Sequence, residues 1–237
     1  MKKIYLLLLL LPLLCQAQSS SFNNWQSVGL EYDINKSLRS KVRLGYRTTD
    51  FQSSSTFLDV ALQYKLHKYL KVGLGWRYAG RGNPTNVDAI TNRFHTDISS
   101  KIKLAKHLYI KPRLRYQMRF KDWWVSELGY IPKHSFRARL LVNYAINKKF
   151  SLTLGGELFT TGYYYETPET NPIRLISALS YTYKKAHTFE LGYTIEQDIT
   201  ASDQHTAHII TLSYSVHLNN LLKKIRKKRK KKRKEKL

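Results

Sequence analysis

Cysteine is almost missing from this chain: among 237 residues there is one, Cys15. It falls in an N-terminal apolar stretch that reads as a leader, so the mature chain is expected to hold no disulfide and no cysteine-bound metal. Acids are scarce as well, 16 Asp and Glu against 41 Lys and Arg, a formal net charge of +25. No segment after the leader has 18 consecutive apolar residues, which excludes a membrane-spanning helix there. A mean hydropathy of −0.45 likewise excludes a helical membrane bundle. Neither a P-loop nor a dinucleotide fingerprint is present, since Gly73-Leu74-Gly75 and Gly80-Arg81-Gly82 are followed by no helical pattern. What is there in quantity is hydrophobic residues, 42%, and aromatics, 13%, which argue against a disordered chain. The length suits one domain.

The N-terminus sets the compartment. Met1, Lys2 and Lys3 precede an apolar run from Ile4 to Leu14, followed by Cys15-Gln16-Ala17. A positive start, a short apolar core and a small-residue end make a signal peptide over 1–17, cleaved after Ala17. The apolar run of 11 residues is too short for an anchor, which needs about 20. A lipoprotein reading built on Cys15 ranks behind it, because Leu14 stands where a small residue is wanted. At the other end, residues 223–236 carry 12 bases and one acid. Without them and the two leader lysines, 27 bases and 15 acids remain, so the body is basic in its own right.

From residue 24 onward hydrophobicity alternates with period two. Leu70, Val72, Leu74, Trp76 and Tyr78 interleave with Lys71, Gly73, Gly75, Arg77 and Ala79. Leu114, Tyr116, Met118 and Phe120 interleave with Arg113, Arg115, Gln117 and Arg119. Successive side chains of a strand point to opposite faces, so each segment has one apolar and one polar face. Eleven such segments occur, near 24–34, 38–48, 56–66, 70–80, 90–104, 108–120, 134–146, 150–161, 172–183, 187–199 and 205–218. Most reach the ~9–11 residues that a tilted strand needs to cross a bilayer. Short connections (Asn35-Lys36-Ser37, Asn147-Lys148-Lys149, Lys184-Lys185-Ala186) alternate with long ones near 49–55, 81–89, 121–133, 162–171 and 200–204.

On the apolar parity, Tyr32, Tyr64, Tyr144, Phe150, Tyr181, Tyr183 and Phe189 lie by short turns. Tyr46, Trp76, Tyr78, Phe94, Tyr116, Phe120 and Phe136 lie towards long loops. Two aromatic belts with aliphatic residues between them fit the two edges of a membrane. A soluble β-sandwich or lipocalin-like barrel would show the same alternation. Strand length, turn asymmetry, the belts and the leader favour an all-β, antiparallel up-and-down transmembrane β-barrel over residues 18–220, with 221–237 a basic disordered tail. Single-chain bacterial barrels have an even number of strands. Twelve is therefore expected, ten the alternative, with residues 18–24 or the Trp123–Ile131 connection supplying the extra strand.

The stretch Trp25-Gln26-Ser27-Val28-Gly29-Leu30-Glu31-Tyr32, the basic strand from Arg39 to Arg47 and Trp76-Arg77-Tyr78 resemble the outer-membrane barrels of domain-of-unknown-function family 2490. The resemblance covers about residues 22–218. It implies an outer-membrane barrel with no assigned activity, and it transfers no functional residue.

The inward parity collects Arg39, Lys41, Arg43, Arg47, Arg77, Arg113, Arg115, Arg119, Arg137 and Arg139, joined by Lys71, Arg93, Lys101, Lys103, Lys111 and Arg174. Its acids are Glu31, Asp59, Asp97, Glu157, Glu190 and Glu196, with Asp33 and Asp198. One reading is a charge network filling a narrow barrel. The other is an anion-preferring lumen, since rings of Arg and Lys line anion pores. A lipid-modifying enzyme or lipid-binding barrel is the alternative class. His95, Asp97 and Ser99 share the inward parity, but two-residue steps along a strand are ~7 Å, too far for a hydrogen-bonded triad. His205 and His208 make a weak metal pair with no third ligand nearby. No catalytic residue, metal or cofactor is expected. The expected partners are outer-membrane lipids and lipopolysaccharide, the barrel assembly machinery and an anionic solute. Anionic headgroups of the inner leaflet are expected at the periplasmic tail, and a secreted chain is not expected to meet nucleic acid.

Overall fold

The computed structural model describes residues 20–50, 53–83, 86–121, 132–163, 172–198 and 205–222. The segment 1–17 read as a signal peptide, residues 223–237 of the basic tail, the Trp123–Ile131 connection and the tyrosine-rich loop centred on Tyr164 and Tyr165 lie outside the described residues, while 221–222, expected in the tail, end a helical turn.

The described residues form twelve strands: β1 (Ser20–Asp33), β2 (Leu38–Thr49), β3 (Ser53–Lys65), β4 (Leu70–Asn83), β5 (Asn86–Ser100), β6 (Ile102–Lys103), β7 (Leu108–Lys121), β8 (Lys133–Ala145), β9 (Phe150–Tyr163), β10 (Pro172–Tyr183), β11 (His187–Asp198) and β12 (Thr206–His217). Eleven are long, and they close into a barrel because β5 pairs with β7 and β1 with β12. The twelfth is the two-residue β6. It continues β5 beyond Lys101 in the same register, Ser99 facing Arg113 and Ile102 facing Ile110. The extra strand thus comes from 102–103, while residues 20–23 lengthen β1.

An odd number of alternating long strands leaves the first and last running the same way. The β1–β12 seam is accordingly parallel, from Ser20 opposite Thr206 to Glu31 opposite His217, and every other pairing is antiparallel. Parallel pairing is slightly weaker per residue, and side chains clip this seam at both rims. At the long-loop rim His205 Nε2 and Ser21 Oγ are 2.9 Å apart. At the short-turn rim a helical turn over 218–222 follows β12. There Asn219 accepts from the Asp33 amide at 2.7 Å and donates back to its carbonyl at 2.9 Å. Asn220 donates to the Lys185 carbonyl at 2.8 Å.

The short turns follow from their sequences. Asn35 Oδ1 accepts from the amides of Ser37 and Leu38, and Asn147 Oδ1 from those of Lys149 and Phe150. An Asn side chain that imitates a backbone turn fixes both hairpins. At the β10–β11 turn Lys184 and Lys185 have φ of 52° and 58°. That is the left-handed pair of a type I′ turn, closed by the Ala186 amide donating to the Tyr183 carbonyl at 3.2 Å, where Asn-Gly is usual.

Apolar side chains point out and charged ones point in. Leu44, Leu74, Leu114, Leu140, Leu175 and Leu191 are exposed on the outer wall, whereas Asp59, Arg77, His95, Gln117 and Glu157 are buried inside. A soluble barrel is the reverse. With 12 to 15 residues per long strand and ~3.3 Å per residue, the wall crosses a ~30 Å hydrocarbon core at ordinary tilt. The aromatic belts lie on the outer wall. Near the short turns Phe150, Tyr181, Phe189 and Tyr214 run across β9 to β12 with ring centres 4.9, 6.4 and 4.8 Å apart. Near the long loops Tyr116 meets Phe136 at 4.9 Å and Phe94 meets Phe120 at 6.2 Å. Together these features make the fold a transmembrane β-barrel.

Candidate functional site

The interior is built by inward residues two apart along each strand, with glycines making room for large neighbours. A Cβ on Gly45 would overlap the Phe57 ring, and one on Gly75 would overlap the His95 imidazole. Those two glycines let Phe57 and His95 lie flat against the inner wall.

The charged residues form discrete clusters. At the short-turn rim Glu31 meets Arg39 at 3.0 Å and Lys41 at 3.1 Å, while Asp33 meets Arg39 and His217. Further in, Asp59 holds Arg77 at 2.7 Å and lies 3.8 Å from Arg43. Arg115 forks onto both oxygens of Asp97 at 2.6 and 2.7 Å. Glu157, 3% exposed, gathers three arginines from three strands: Arg113 at 2.7 Å, Arg137 at 3.1 Å and Arg174 at 3.8 Å. Arg174 also binds Glu196. Glu190 accepts from Ser180 at 2.9 Å. Arg47, Arg93 and Arg139 meet no carboxylate among the described residues, and the Nε of each is buried without a protein acceptor. Arg119 lines the lumen towards the long loops.

Three inward aromatics, not singled out by the sequence reading, hold several of these cations. Arg77, Arg47 and Arg43 lie over Phe57, at 4.4, 4.9 and 5.7 Å from its centre. Arg47 also lies 4.0 Å from the Trp25 ring, which Arg174 approaches to 5.2 Å. Arg174 and Arg137 lie over Phe159 at 4.3 and 4.0 Å. Read in order, Arg77, Phe57, Arg47, Trp25, Arg174, Phe159 and Arg137 make an alternating ladder that reaches across the lumen from β4 to β8. Their signal was parity: Phe57 and Phe159 each stand two residues from an inward acid, Asp59 or Glu157.

This layer separates two cavities. The one nearer the short turns has a volume of about 660 Å³ and mixes Arg39, Lys41, Lys71 and Lys111 with Glu31, Asp97 and Glu190. The one nearer the long loops, about 190 Å³, is lined by Arg47, Arg77, Arg93, Arg119, Lys133, Arg137 and Arg174, and by no carboxylate among the described residues. No residue lines both. The Arg77–Asp59 pair and the Arg113–Glu157–Arg137 group bridge them.

The other sequence candidates fall apart. Asp97 is taken by Arg115, and no hydrogen bond joins His95 to Asp97 or Ser99. His205 bonds Ser21 while His208 turns the other way to Tyr193, at 2.7 Å. No group of three metal-binding side chains occurs among the described residues.

An apolar outer wall around a charged interior defines the class, a membrane-spanning β-barrel. Residues 22–206 match the family described as protein of unknown function (DUF2490), and the chain belongs to that family. No curated protein matches it. Among solved structures it is similar to the NanC porin, at 14% identity and TM-score 0.47 over 74% of this chain and 86% of that one. It is similar to the KdgM porin in complex with disordered oligogalacturonate, at 13% and 0.48 over 78% and 93%. The translocator domain of the autotransporter NalP from Neisseria meningitidis gives 11% and 0.44 over 74% and 72%.

Proposed function

We propose that this chain is a non-enzymatic, porin-like barrel of the bacterial outer membrane whose lumen favours anions. The observation that carries the reading is the unmatched inner charge. Asp59 and Glu157 are each already shared between arginines, and Arg47, Arg93 and Arg139 meet no carboxylate among the described residues. A positive interior walled by low-dielectric strands concentrates anions and repels cations. Outer-membrane lipid and lipopolysaccharide surround the apolar wall. The apolar face of β12 is the feature that the barrel assembly machinery reads. The basic tail follows the short-turn rim into the periplasm, where anionic headgroups attract it.

The test is the reversal potential of the purified barrel in a planar bilayer under a potassium chloride gradient. It should lie towards the chloride equilibrium potential. Replacing Arg113, Arg115 and Arg119 together with serine should move it towards zero. A cation-preferring or wholly non-conducting barrel contradicts the reading.

A further inference from the structure

We infer that the cavity on the long-loop side of the arginine–aromatic ladder is a binding site for a small multivalent oxyanion of the phosphate class. The inference rests on the anion-favouring reading above and adds a saturable site and a ligand chemistry.

Three observations carry it. First, the cavity of about 190 Å³ is walled by cations with no carboxylate among the described residues, unlike its larger neighbour, where acids and bases mix. Second, Arg47 and Arg93 meet no carboxylate among the described residues, and Arg47 is held in place without being neutralised. Carboxylates would position a guanidinium but cancel its charge. Here Arg47 is held between Trp25 and Phe57, whereas Arg137 and Arg174, which share Phe159, also meet Glu157. An aromatic face orients a guanidinium and leaves its N–H edge free to donate. Third, the buried Nε atoms of Arg47, Arg93 and Arg137 have no protein acceptor. A buried charge short of acceptors is costly, and the opposite charge of an anion in the adjoining cavity offsets it.

The geometry selects the ligand. Arg47, Arg77, Arg93, Arg137 and Arg174 approach from five strands, β2, β4, β5, β8 and β10. Donors arriving from around the wall suit an anion with acceptors in every direction. A tetrahedral oxyanion presents four such oxygens, whereas a lone carboxylate presents two in one plane. The guanidinium fork binds phosphate oxygens in pairs. Halide and nitrate carry a single charge, and attraction scales with the ligand's charge.

The experiment is isothermal titration of the full-length protein in detergent micelles with sodium phosphate, sodium sulfate and sodium chloride at matched ionic strength. Phosphate should bind saturably with one site per barrel, and sulfate should compete with it. Chloride should bind at least about tenfold more weakly, the equivalent of one lost charge-assisted hydrogen bond. Arg47→Gln and Arg93→Gln should each weaken phosphate by about tenfold on the same grounds. Lys41→Gln and Lys71→Gln, in the short-turn cavity, should leave binding unchanged. Trp25→Leu should weaken binding and Trp25→Tyr should restore it. Circular dichroism and heat modifiability show which variants remain folded, and Lys133→Gln gives a second route to the same cavity.

The inference is overturned by absence of saturable phosphate binding, by equal affinity for chloride, or by equal losses from the Lys41 and Lys71 variants. Anion-selective current without saturable phosphate binding would remove the site and leave the anion-favouring lumen. Saturable phosphate binding by a cation-preferring barrel would uphold the site and remove that reading.

Discussion

Replacing Glu157 with Gln should weaken the barrel and at the same time strengthen its preference for anions. Glu157 is the one carboxylate shared by Arg113, Arg137 and Arg174, at 2.7, 3.1 and 3.8 Å, and it is almost completely buried. At an effective dielectric of about 20, an ion pair at ~4 Å gains about 4 kcal/mol before desolvation is counted. Removing one partner of a buried cluster costs about 3–5 kcal/mol, since the remaining charges stay buried and uncompensated. Gln keeps the shape and one carbonyl acceptor, so the lower end, about 3 kcal/mol, applies. Urea unfolding in micelles, followed by circular dichroism, measures the loss. Bilayer reversal potentials measure the selectivity, which should move further towards chloride as three guanidiniums lose their shared anion. If Glu157→Gln unfolds at the wild-type urea concentration, or if its anion preference falls, Glu157 does not organise the lumen as described.

Leu74→Arg, on the exposed outer wall, should cost about 2–4 kcal/mol if the position is near the bilayer midplane; equal urea midpoints in lipid would count against the wall assignment. Asn219→Leu removes both hydrogen bonds to the Asp33 backbone and should destabilise the parallel seam by about 1–3 kcal/mol. Truncation after Leu222 keeps that clip, and the shortened chain should still fold into a heat-modifiable barrel and lose salt-sensitive binding to anionic vesicles. Changing Lys184-Lys185 to Asn-Gly relieves two left-handed non-glycine residues and should raise the urea midpoint by about 1 kcal/mol equivalent; a lower midpoint would show that the Lys184–Tyr183 contact outweighs the backbone.

Much of the wall is legible in the chain because membrane strands carry a strict alternation. Leu74 and Arg77 stand three apart and so on opposite faces, and that fact needs no knowledge of their neighbours. The turns were legible for a related reason: Asn35 and Asn147 act on amides two and three residues on. Closure was not local. The β1–β12 seam joins residues of the twenties to those past 200, and no signal within either strand records the partner. The odd count of long segments contained the parallel seam in principle, yet the rule of even strand numbers pointed towards an additional strand at a terminus or in a loop. The one found, β6, is a continuation of β5.

For the lumen, alternation assigns a residue to a face, and partnership is not local. Arg113 and Glu157 lie 44 residues apart on β7 and β9 and meet across the intervening β8. Arg174 on β10 reaches Trp25 on β1 across the lumen. Such contacts depend on barrel diameter and side-chain length, neither of which is written in the alternation. The inward aromatics were overlooked because rings in a membrane barrel are expected at the lipid edge. Trp25, Phe57 and Phe159 instead stand on the charged parity, as platforms for guanidiniums.

The most direct test of the account is the environment of single cysteines at positions 74, 140 and 115, introduced into a Cys15→Ser background and labelled with bimane in lipid vesicles. Probes at Leu74 and Leu140 should be quenched by brominated acyl chains and not by aqueous iodide, and a probe at Arg115 should escape the brominated lipid. Lipid quenching at 115 together with iodide quenching at 74 and 140 would mean that the barrel faces the other way, and the cationic lumen would be lost with it.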